Sequence, residues 1–273
     1  MSVFAGAGTY RRWSMSQATP AQDLSLLETA ARGAGALAMH WFANPGKVWD
    51  KGDQHPVTEA DLAVDQQLKE VLRAARPDYG WLSEETVDDR SRLHAARVFI
   101  VDPIDGTRAF IQGKPHFSIS IAIVEKGRPI AGAVFNPALD EMYLAAKDKG
   151  ASLNGEPIRI RTCASLLDCR MIANEGLFRQ KHWRESWPAM QYCTRNSMAY
   201  RIALVASGAH DVTLTLRPKS DWDLAAADLI ANEAGATITD PDGVAFAYNL
   251  PSVTKSGVIC AGRTLHDLIR QRM

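Results

Sequence analysis

The sequence lacks any long run of apolar residues, and it lacks an excess of charge of either sign. No apolar stretch approaches the ~20 residues that a membrane-spanning helix requires. The 31 Lys and Arg residues are balanced by 31 Asp and Glu residues, which excludes a generally basic nucleic-acid-binding surface. Because 46% of the residues are hydrophobic, the chain can bury a real core. We therefore expect a globular protein with no membrane partner and no nucleic-acid partner.

Cysteine is also scarce. The four cysteines form no C-x-x-C pair and have no zinc-site spacing with histidine, which indicates reduced thiols and excludes a disulfide framework. Residues 1–18 contain Arg11 and Arg12 but no apolar segment of the kind found in secretory signals. We expect a flexible N-terminal extension over residues 1–18, with Met15 as an alternative start, and a cytoplasmic location.

No internal repeat or low-complexity segment occurs, and 273 residues suit about two domains or one large one. Residues 19–161 form the first predicted half. Thr19 and Gln22 form a capping box that begins a helix over residues 20–42, and a second helix begins after Thr58.

Strands follow these helices. A short apolar run at residues 98–101 predicts a buried strand, and residues 117–161 contain apolar runs joined by short turns, including a strong hairpin signal at Asn154-Gly155. This pattern predicts a mostly antiparallel sheet. In residues 162–273 strands alternate with helices, which indicates a second, α/β half.

Carboxylates concentrate in three segments at predicted strand ends or helix starts: residues 82–85 (LSEE), 102–107 (DPIDGT) and 221–223 (DWD). In DPIDGT, Pro103 bends the chain so that Asp105 returns to the same side as Asp102. Two carboxylates this close repel unless a cation lies between them. Oxygen donors without nearby His or Cys favour Mg²⁺ over Zn²⁺. The glycine after Asp105 allows a close ligand, and the turn that follows could bind an anion.

Each acidic segment also has a purely structural interpretation. DPIDGT could form an Asp-Pro turn before a capped helix. Glu84 and Glu85 could be an exposed pair. Asp61 fits a capping box with the preceding threonine, and Asp223 fits the N-cap of a helix over residues 224–234. The segments therefore carry weight only through their joint occurrence.

Taken in order, the motifs resemble those of the inositol monophosphatase superfamily of Mg²⁺-dependent, lithium-sensitive phosphomonoesterases. The resemblance covers residues 21–262. Its anchors are VTEAD at residues 57–61, LSEE at 82–85, DPIDGT at 102–107, and WDLAA at 222–226 with EAG at 233–235. It implies a layered α-β-α-β-α sandwich that combines α+β and α/β halves, and it implies a homodimer.

The resemblance also implies roles for individual residues. One Mg²⁺ would be held by Glu84, Asp102 and the Ile104 carbonyl, a second by Asp102, Asp105 and Asp223, and a third, weaker ion near Glu84. Among the catalytic residues Asp61, Thr107 and Glu84, Thr107 would orient the attacking water and Asp61 would hydrogen-bond Thr107. The expected substrate contacts are Asp105, Gly106, Thr107, Ser197, Arg201 and Asp223.

The substrate half of the site departs from the inositol-selective pattern. Leu216 stands where inositol-selective members have a glutamate, and Arg217 and Lys219 add positive charge, either for a second phosphate or as a solvated loop. These features resemble the bacterial 3′(2′),5′-bisphosphate nucleotidase branch, which implies adenosine 3′,5′-bisphosphate as substrate. Inositol 1-phosphate and other polyol, sugar or histidinol phosphates are the alternatives, and a regulatory binding protein that retains the fold is an alternative of another class.

Overall fold

The computed structural model describes residues 18–42, 44, 46–50, 52, 56–179 and 183–273. The predicted N-terminal extension and the alternative start at Met15 lie outside these residues, apart from Ala18. None of the helices in the described part is long and apolar enough to cross a membrane.

The described residues form helices and strands along the whole chain. The helices are α1 (Pro20–Trp41), α2 (Glu59–Ala75), α3 (Thr107–Ile111), α4 (Met198–Ala206), α5 (Asp221–Glu233) and α6 (Arg263–Gln271). The strands are β1 (Val48–Asp50), β2 (Pro56–Thr58), β3 (Gly80–Ser83), β4 (Arg97–Asp105), β5 (Ser118–Glu125), β6 (Arg128–Asn136), β7 (Glu141–Ala146), β8 (Ala151–Leu153), β9 (Glu156–Ile158), β10 (Arg170–Ile172), β11 (Gln191–Cys193), β12 (Val212–Thr215), β13 (Lys219–Ser220), β14 (Thr237–Thr239), β15 (Thr254–Lys255) and β16 (Val258–Ala261).

The first two helices begin at the predicted capping boxes. The Gln22 amide donates to Thr19 Oγ1 at 3.3 Å, and the Thr19 amide donates to Gln22 Oε1 at 2.9 Å. Thr58 caps α2 in the same way, with Asp61 at the third helical position. Both boxes satisfy backbone N–H groups that have no partner within the first turn, so the predicted helix starts are confirmed.

The larger sheet has seven strands in the order β3-β4-β5-β6-β7-β8-β9. Strands β3 and β4 pair in parallel, and the other neighbouring strands of this sheet pair antiparallel. Side chains on successive residues of a strand face opposite sides. Along β5, Ile119, Ile121 and Ile123 therefore pack with α1 and α2, whereas Ala122 and Val124 pack with α4 and α5. The sheet is buried on both faces.

The second sheet has five strands in the order β11-β10-β12-β16-β14. Helices α4 and α5 lie between the two sheets, and α6 covers the far face, where Leu265 and Ile269 pack against Val212 and Ile259. The layers thus run helix, sheet, helix, sheet, helix, which confirms the predicted fold class. The division into halves at residue 161 stays a prediction.

Two boundaries differ from expectation at the acidic segments. Strand β4 continues through Pro103 to Asp105, with a register shift between Asp102 and Asp105 that leaves a bulge instead of a strand end. Helix α5 begins at Asp221 and not at Leu224, because Ser220 is its N-cap. Asp223 is therefore the third helical residue, and its interpretation as an N-cap is wrong.

Candidate metal-binding active site

Strand β4 brings Asp102 and Asp105 to the same side of the sheet. Asp102 is opposite Ser120 of β5, Asp105 is opposite Ser118, and the irregular residues lie between them. Gly106 then takes a φ of 97°, and a Cβ there would lie 2.8 Å from the His116 carbonyl oxygen. Only glycine fits this turn without strain, so the chain can pass directly from the acidic strand into α3.

Asp102, Asp105 and Asp223 form an acidic cluster. Each offers a carboxylate oxygen, and these oxygens lie within 4.8 Å of one another. Asp102 is 1% exposed, and neither of its oxygens has a hydrogen-bond partner among the residues that the structure describes. A buried carboxylate without a partner is costly unless a cation balances it. The cluster consists of oxygen donors, which fit a hard divalent cation such as Mg²⁺.

Burial and mutual repulsion raise the pKa values of two carboxylates in this cluster. Burial raises the pKa of Asp102 well above its usual range, and the negative charges of Glu84, Asp105 and Asp223 add to the rise. Burial, followed by the charge of Asp223, raises the pKa of Asp105 to about 6. Like charges this close disfavour each other's ionised form. A bound divalent cation would reverse the effect and keep the carboxylates ionised.

Asp105 is held from behind by the start of α4. The Ser197 hydroxyl and the Ala199 amide each donate to Asp105 Oδ2 at 2.7 Å. Ser197 is also the N-cap of α4, and its oxygen accepts from the Tyr200 amide at 2.9 Å. Ser197 therefore orients an acidic residue from the protein side of the cluster.

Asp223 is held by the first turn of α5. The Ser220 amide donates to Asp223 Oδ2 at 2.7 Å, and Lys219 Nζ lies 3.8 Å from Asp223 Oδ1. Asp223 can therefore serve two purposes. Its Oδ2 takes part in the capping box of α5, and its carboxylate also belongs to the acidic cluster.

Asp61 likewise has two partners. Its Oδ2 accepts from the Thr58 amide at 2.8 Å and from the Thr58 hydroxyl at 2.6 Å, as a capping residue does. Its Oδ1 lies 3.2 Å from Thr107 Oγ1, which is also 3.1 Å from the Ile104 carbonyl oxygen. Asp61 can therefore cap α2 with Oδ2 and contact Thr107 with Oδ1 at the same time.

These residues surround a cavity of about 160 Å³, lined by Pro56, Glu84, Asp102, Asp105, Gly106, Thr107, Arg108, Asn196, Lys219 and Asp223. The expected site residues did not include Pro56, Arg108 or Asn196. Each of them is adjacent in sequence to a residue of a motif or of the expected site, and Arg108 and Asn196 also depart from the inositol-selective pattern.

Two expected substrate contacts lie outside this lining. Ser197 is behind Asp105, and the Arg201 guanidinium donates to the Arg195 carbonyl oxygen. Leu216 packs partly against the core beneath α6. Arg217 is exposed and also lies outside the lining, so only Lys219 of the basic segment reaches the cavity.

A second, more open cavity of about 390 Å³ adjoins the first. It is lined by Val48, Trp49, Asp50, Pro56 and Arg108, and it shares Pro56 and Arg108 with the acidic cavity. Val48 is 48% exposed and Trp49 is 44% exposed, both on strand β1. The structure thus places an accessible aromatic side chain in a cavity that adjoins the acidic one.

Comparisons with known proteins agree with this fold. The family model described as "Inositol monophosphatase family" matches residues 20–273. The chain is 34% identical over 201 residues to an inositol-1-monophosphatase of Rhizobium meliloti, which covers 71% of this chain and 75% of that protein. It is 32% identical over 234 residues to a histidinol-phosphatase of Mycobacterium tuberculosis, which covers 82% of this chain and 86% of that one.

Among solved structures, an inositol monophosphatase of Thermotoga maritima superimposes with a TM-score of 0.78 at 31% identity, covering 91% of this chain and 94% of that one. The fold and the site define a phosphatase of a metal-dependent class. The chain belongs to the inositol monophosphatase family.

Proposed function

We propose that this chain is a Mg²⁺-dependent phosphomonoesterase that hydrolyses a small phosphate monoester. The observation that carries the proposal is Asp102, which lines the cavity beside Asp105 and Asp223 and whose two buried oxygens have no hydrogen-bond partner among the described residues. Structural carboxylates of this chain, such as Asp23, have donors on their oxygens. Asp102 has none among the described residues, as expected for a residue whose partner is a metal ion.

The ligand roles follow the donors that are present. We assign one Mg²⁺ to Glu84, Asp102 and the Ile104 carbonyl, a second to Asp102, Asp105 and Asp223, and a weaker third ion near Glu84. When bound, Mg²⁺ neutralises the phosphate and lowers the pKa of bound water.

Thr107 and Asp61 form the proposed water-positioning pair. The Thr107 hydroxyl lies within hydrogen-bonding distance of Asp61 Oδ1, and its oxygen can accept a hydrogen bond from a water molecule in the cavity. Attack forms a bond between the water oxygen and phosphorus and breaks the ester P–O bond. One proton of the water ends on the leaving oxygen, which gives the alcohol, and the other stays with the inorganic phosphate. Thr107 orients the water during this step, while Asp61 fixes the rotation of the Thr107 hydroxyl.

For the alcohol part of the substrate we favour adenosine 3′,5′-bisphosphate. Arg108 and Lys219 place two cations at the cavity, which suits a substrate with a second phosphate. Trp49 lines the adjoining cavity and offers an accessible ring on which a base can stack. The expected substrate contacts of Ser197, Arg201 and Gly106 stay predictions.

Inositol 1-phosphate and histidinol phosphate form the second candidate class. The supporting observation is that the relatives at 32–34% identity carry those activities in their names. Asp50 in the adjoining cavity would also suit the cationic amine of histidinol phosphate. A regulatory binding protein is less well supported, because the acidic cluster is complete.

The experiment is phosphate release from these three substrates with saturating Mg²⁺, with and without Li⁺. We expect Mg²⁺-dependent hydrolysis and the highest kcat/KM for adenosine 3′,5′-bisphosphate. A higher kcat/KM for inositol 1-phosphate or histidinol phosphate would overturn the nucleotidase assignment, and no hydrolysis of any of them would overturn the phosphatase assignment. Light scattering on a sizing column tests the homodimer that we also propose.

A further inference from the structure

Asp65 lies on α2 one turn after Asp61 and is not part of the acidic cavity. It is 7% exposed, and both of its oxygens accept from side chains, one at the end of β3 and one just after it. The Ser83 hydroxyl donates to Asp65 Oδ1 at 2.5 Å, and the Thr86 hydroxyl donates to Asp65 Oδ2 at 2.8 Å. Asp65 therefore bridges the two residues that flank Glu84 and Glu85.

The direction of these hydrogen bonds is determined by their neighbours. Ser83 Oγ accepts from the Glu85 amide at 3.2 Å, and Thr86 Oγ1 accepts from the indole nitrogen of Trp81 at 3.2 Å. An amide N–H and an indole N–H are donors only. Each hydroxyl directs its single proton toward Asp65, so the residue at position 65 must accept at two oxygens. A carboxylate does this, whereas a carboxamide has one acceptor oxygen.

The backbone of Glu84 is held from the opposite side as well. Its amide donates to the Val101 carbonyl oxygen at 3.2 Å, which continues the parallel pairing of β3 with β4 next to Asp102. The Glu84 segment is thus fixed to β4 by its backbone and to α2 by the side chains on either side of it. Asp61 and Asp65 are four residues apart and share one face of α2.

We propose that Asp65 is a positioning residue for Glu84, acting through Ser83 and Thr86. One face of α2 then sets both halves of the site, since Asp61 contacts Thr107 and Asp65 holds the segment of Glu84. The proposal rests on the proposed function, in which Glu84 is a metal ligand. Residues that orient a metal ligand commonly change metal affinity 10- to 100-fold when they are replaced.

The test measures Mn²⁺ binding to the full-length protein by the electron paramagnetic resonance signal of free Mn²⁺, without substrate. Glu84→Gln first identifies the site to which Glu84 contributes. In Asp65→Asn we expect the dissociation constant of that site to rise about 10- to 100-fold. Saturating Mn²⁺ should then restore most of kcat, because Asp65 contacts neither substrate nor reacting atoms.

Asp228→Asn is the matched control, since Asp228 is a buried carboxylate that also accepts from one hydroxyl and one N–H group, at 2.9 Å and 2.6 Å. It should leave Mn²⁺ affinity within about twofold of wild type. Where Asp65→Asn does not fold, Thr86→Val keeps the side-chain shape but removes one of the two hydrogen bonds to Asp65, together with the acceptor of the Trp81 indole. A smaller rise in the same constant is then expected.

The outcomes separate the two proposals. If Glu84→Gln weakens Mn²⁺ binding and Asp65→Asn, or Thr86→Val in its place, does not, the positioning role is wrong while the proposed function stands. If Glu84→Gln itself leaves every Mn²⁺ site unchanged, the ligand assignment underlying the proposed function is wrong.

Discussion

Thr107 Oγ1 and Asp61 Oδ1 lie 3.2 Å apart, although the two residues are separated by 46 positions in the chain. The contact joins the first turn of α3 to the first turn of α2. Because the other oxygen of Asp61 is used to cap α2, the position of Thr107 depends on the same carboxylate that begins the helix. Asp61 Oδ2 still caps α2 when the Thr107 hydroxyl is removed. We therefore expect loss of this hydroxyl to affect the chemical step more than the fold.

Thr107→Val is expected to lower kcat by about 100-fold or more, which is the usual range for a group that positions a proton transfer. Metal binding should persist, because the valine leaves the carboxylates in place. Steady-state kinetics at saturating Mg²⁺, together with Mn²⁺ titration, measure both effects. Thr107→Ser keeps the hydroxyl and should retain most of the activity. Equal kcat values for wild type and Thr107→Val would contradict the proposed role.

Asp105→Asn is expected to lower kcat/KM by at least about 100-fold and to weaken metal binding, since a carboxamide is a poorer ligand for Mg²⁺. The same change should raise the melting temperature of the metal-free protein, because it removes one of several repelling carboxylates. Calorimetry with and without Mg²⁺ measures the melting temperature of each form of the variant and of the wild type. A variant that keeps full Mg²⁺-dependent activity would disprove the ligand assignment.

Trp49→Ala is expected to raise the KM for adenosine 3′,5′-bisphosphate about 5- to 150-fold, which corresponds to the 1–3 kcal/mol of a base stacked on an aromatic side chain. Trp49→Phe keeps a ring and should lose much less. The KM for inositol 1-phosphate, which has no aromatic ring, should be unchanged in both variants. Parallel losses for the two substrates would show that Trp49 does not distinguish them.

The pH dependence of stability should reveal Asp228. Burial raises the pKa of Asp228 to about 7, above the value of an unfolded aspartate. Between these two pKa values the folded state binds the extra proton, so the free energy of unfolding decreases as pH rises from about 4 to 7. Asp228→Asn removes this contribution, which is about 4 kcal/mol across the interval of about three pKa units.

Urea unfolding at pH 5 and pH 8 with saturating Mg²⁺ measures that difference. The wild type should lose more stability than Asp228→Asn between the two pH values. Identical pH profiles would mean that Asp228 does not take up a proton on folding.

Several features could be predicted from short-range patterns. The starts of α1 and α2 follow from capping boxes that involve neighbouring residues. The antiparallel strands follow from apolar runs and turns, and the Asn154-Gly155 turn has the positive φ angles that such hairpins require. The pairing of Asp102 with Asp105 follows from three residues of separation and an intervening proline.

Other features depend on distant contacts and could not be predicted. Strand β1 is exposed along its whole length and has no periodic pattern, so only its pairing with β2 defines it. Strand β3 is likewise defined by its parallel pairing with β4, which lies further along the chain. The cavity positions of Arg108 and Asn196 depend on how α3 and α4 meet.

The sequence by itself determined the types of donor in the site, because the oxygen-only motifs are local and their chemistry does not depend on the fold. Tertiary structure alone decided that Asp102, Asp105 and Asp223 converge within 4.8 Å, and that Asp65 faces Ser83 and Thr86. It also decided that the Ser197 hydroxyl donates to Asp105 and that Trp49 lines the adjoining cavity. The physical reason is that these relationships join residues far apart in the chain, whose approach is set by the packing of helices against both faces of the sheet.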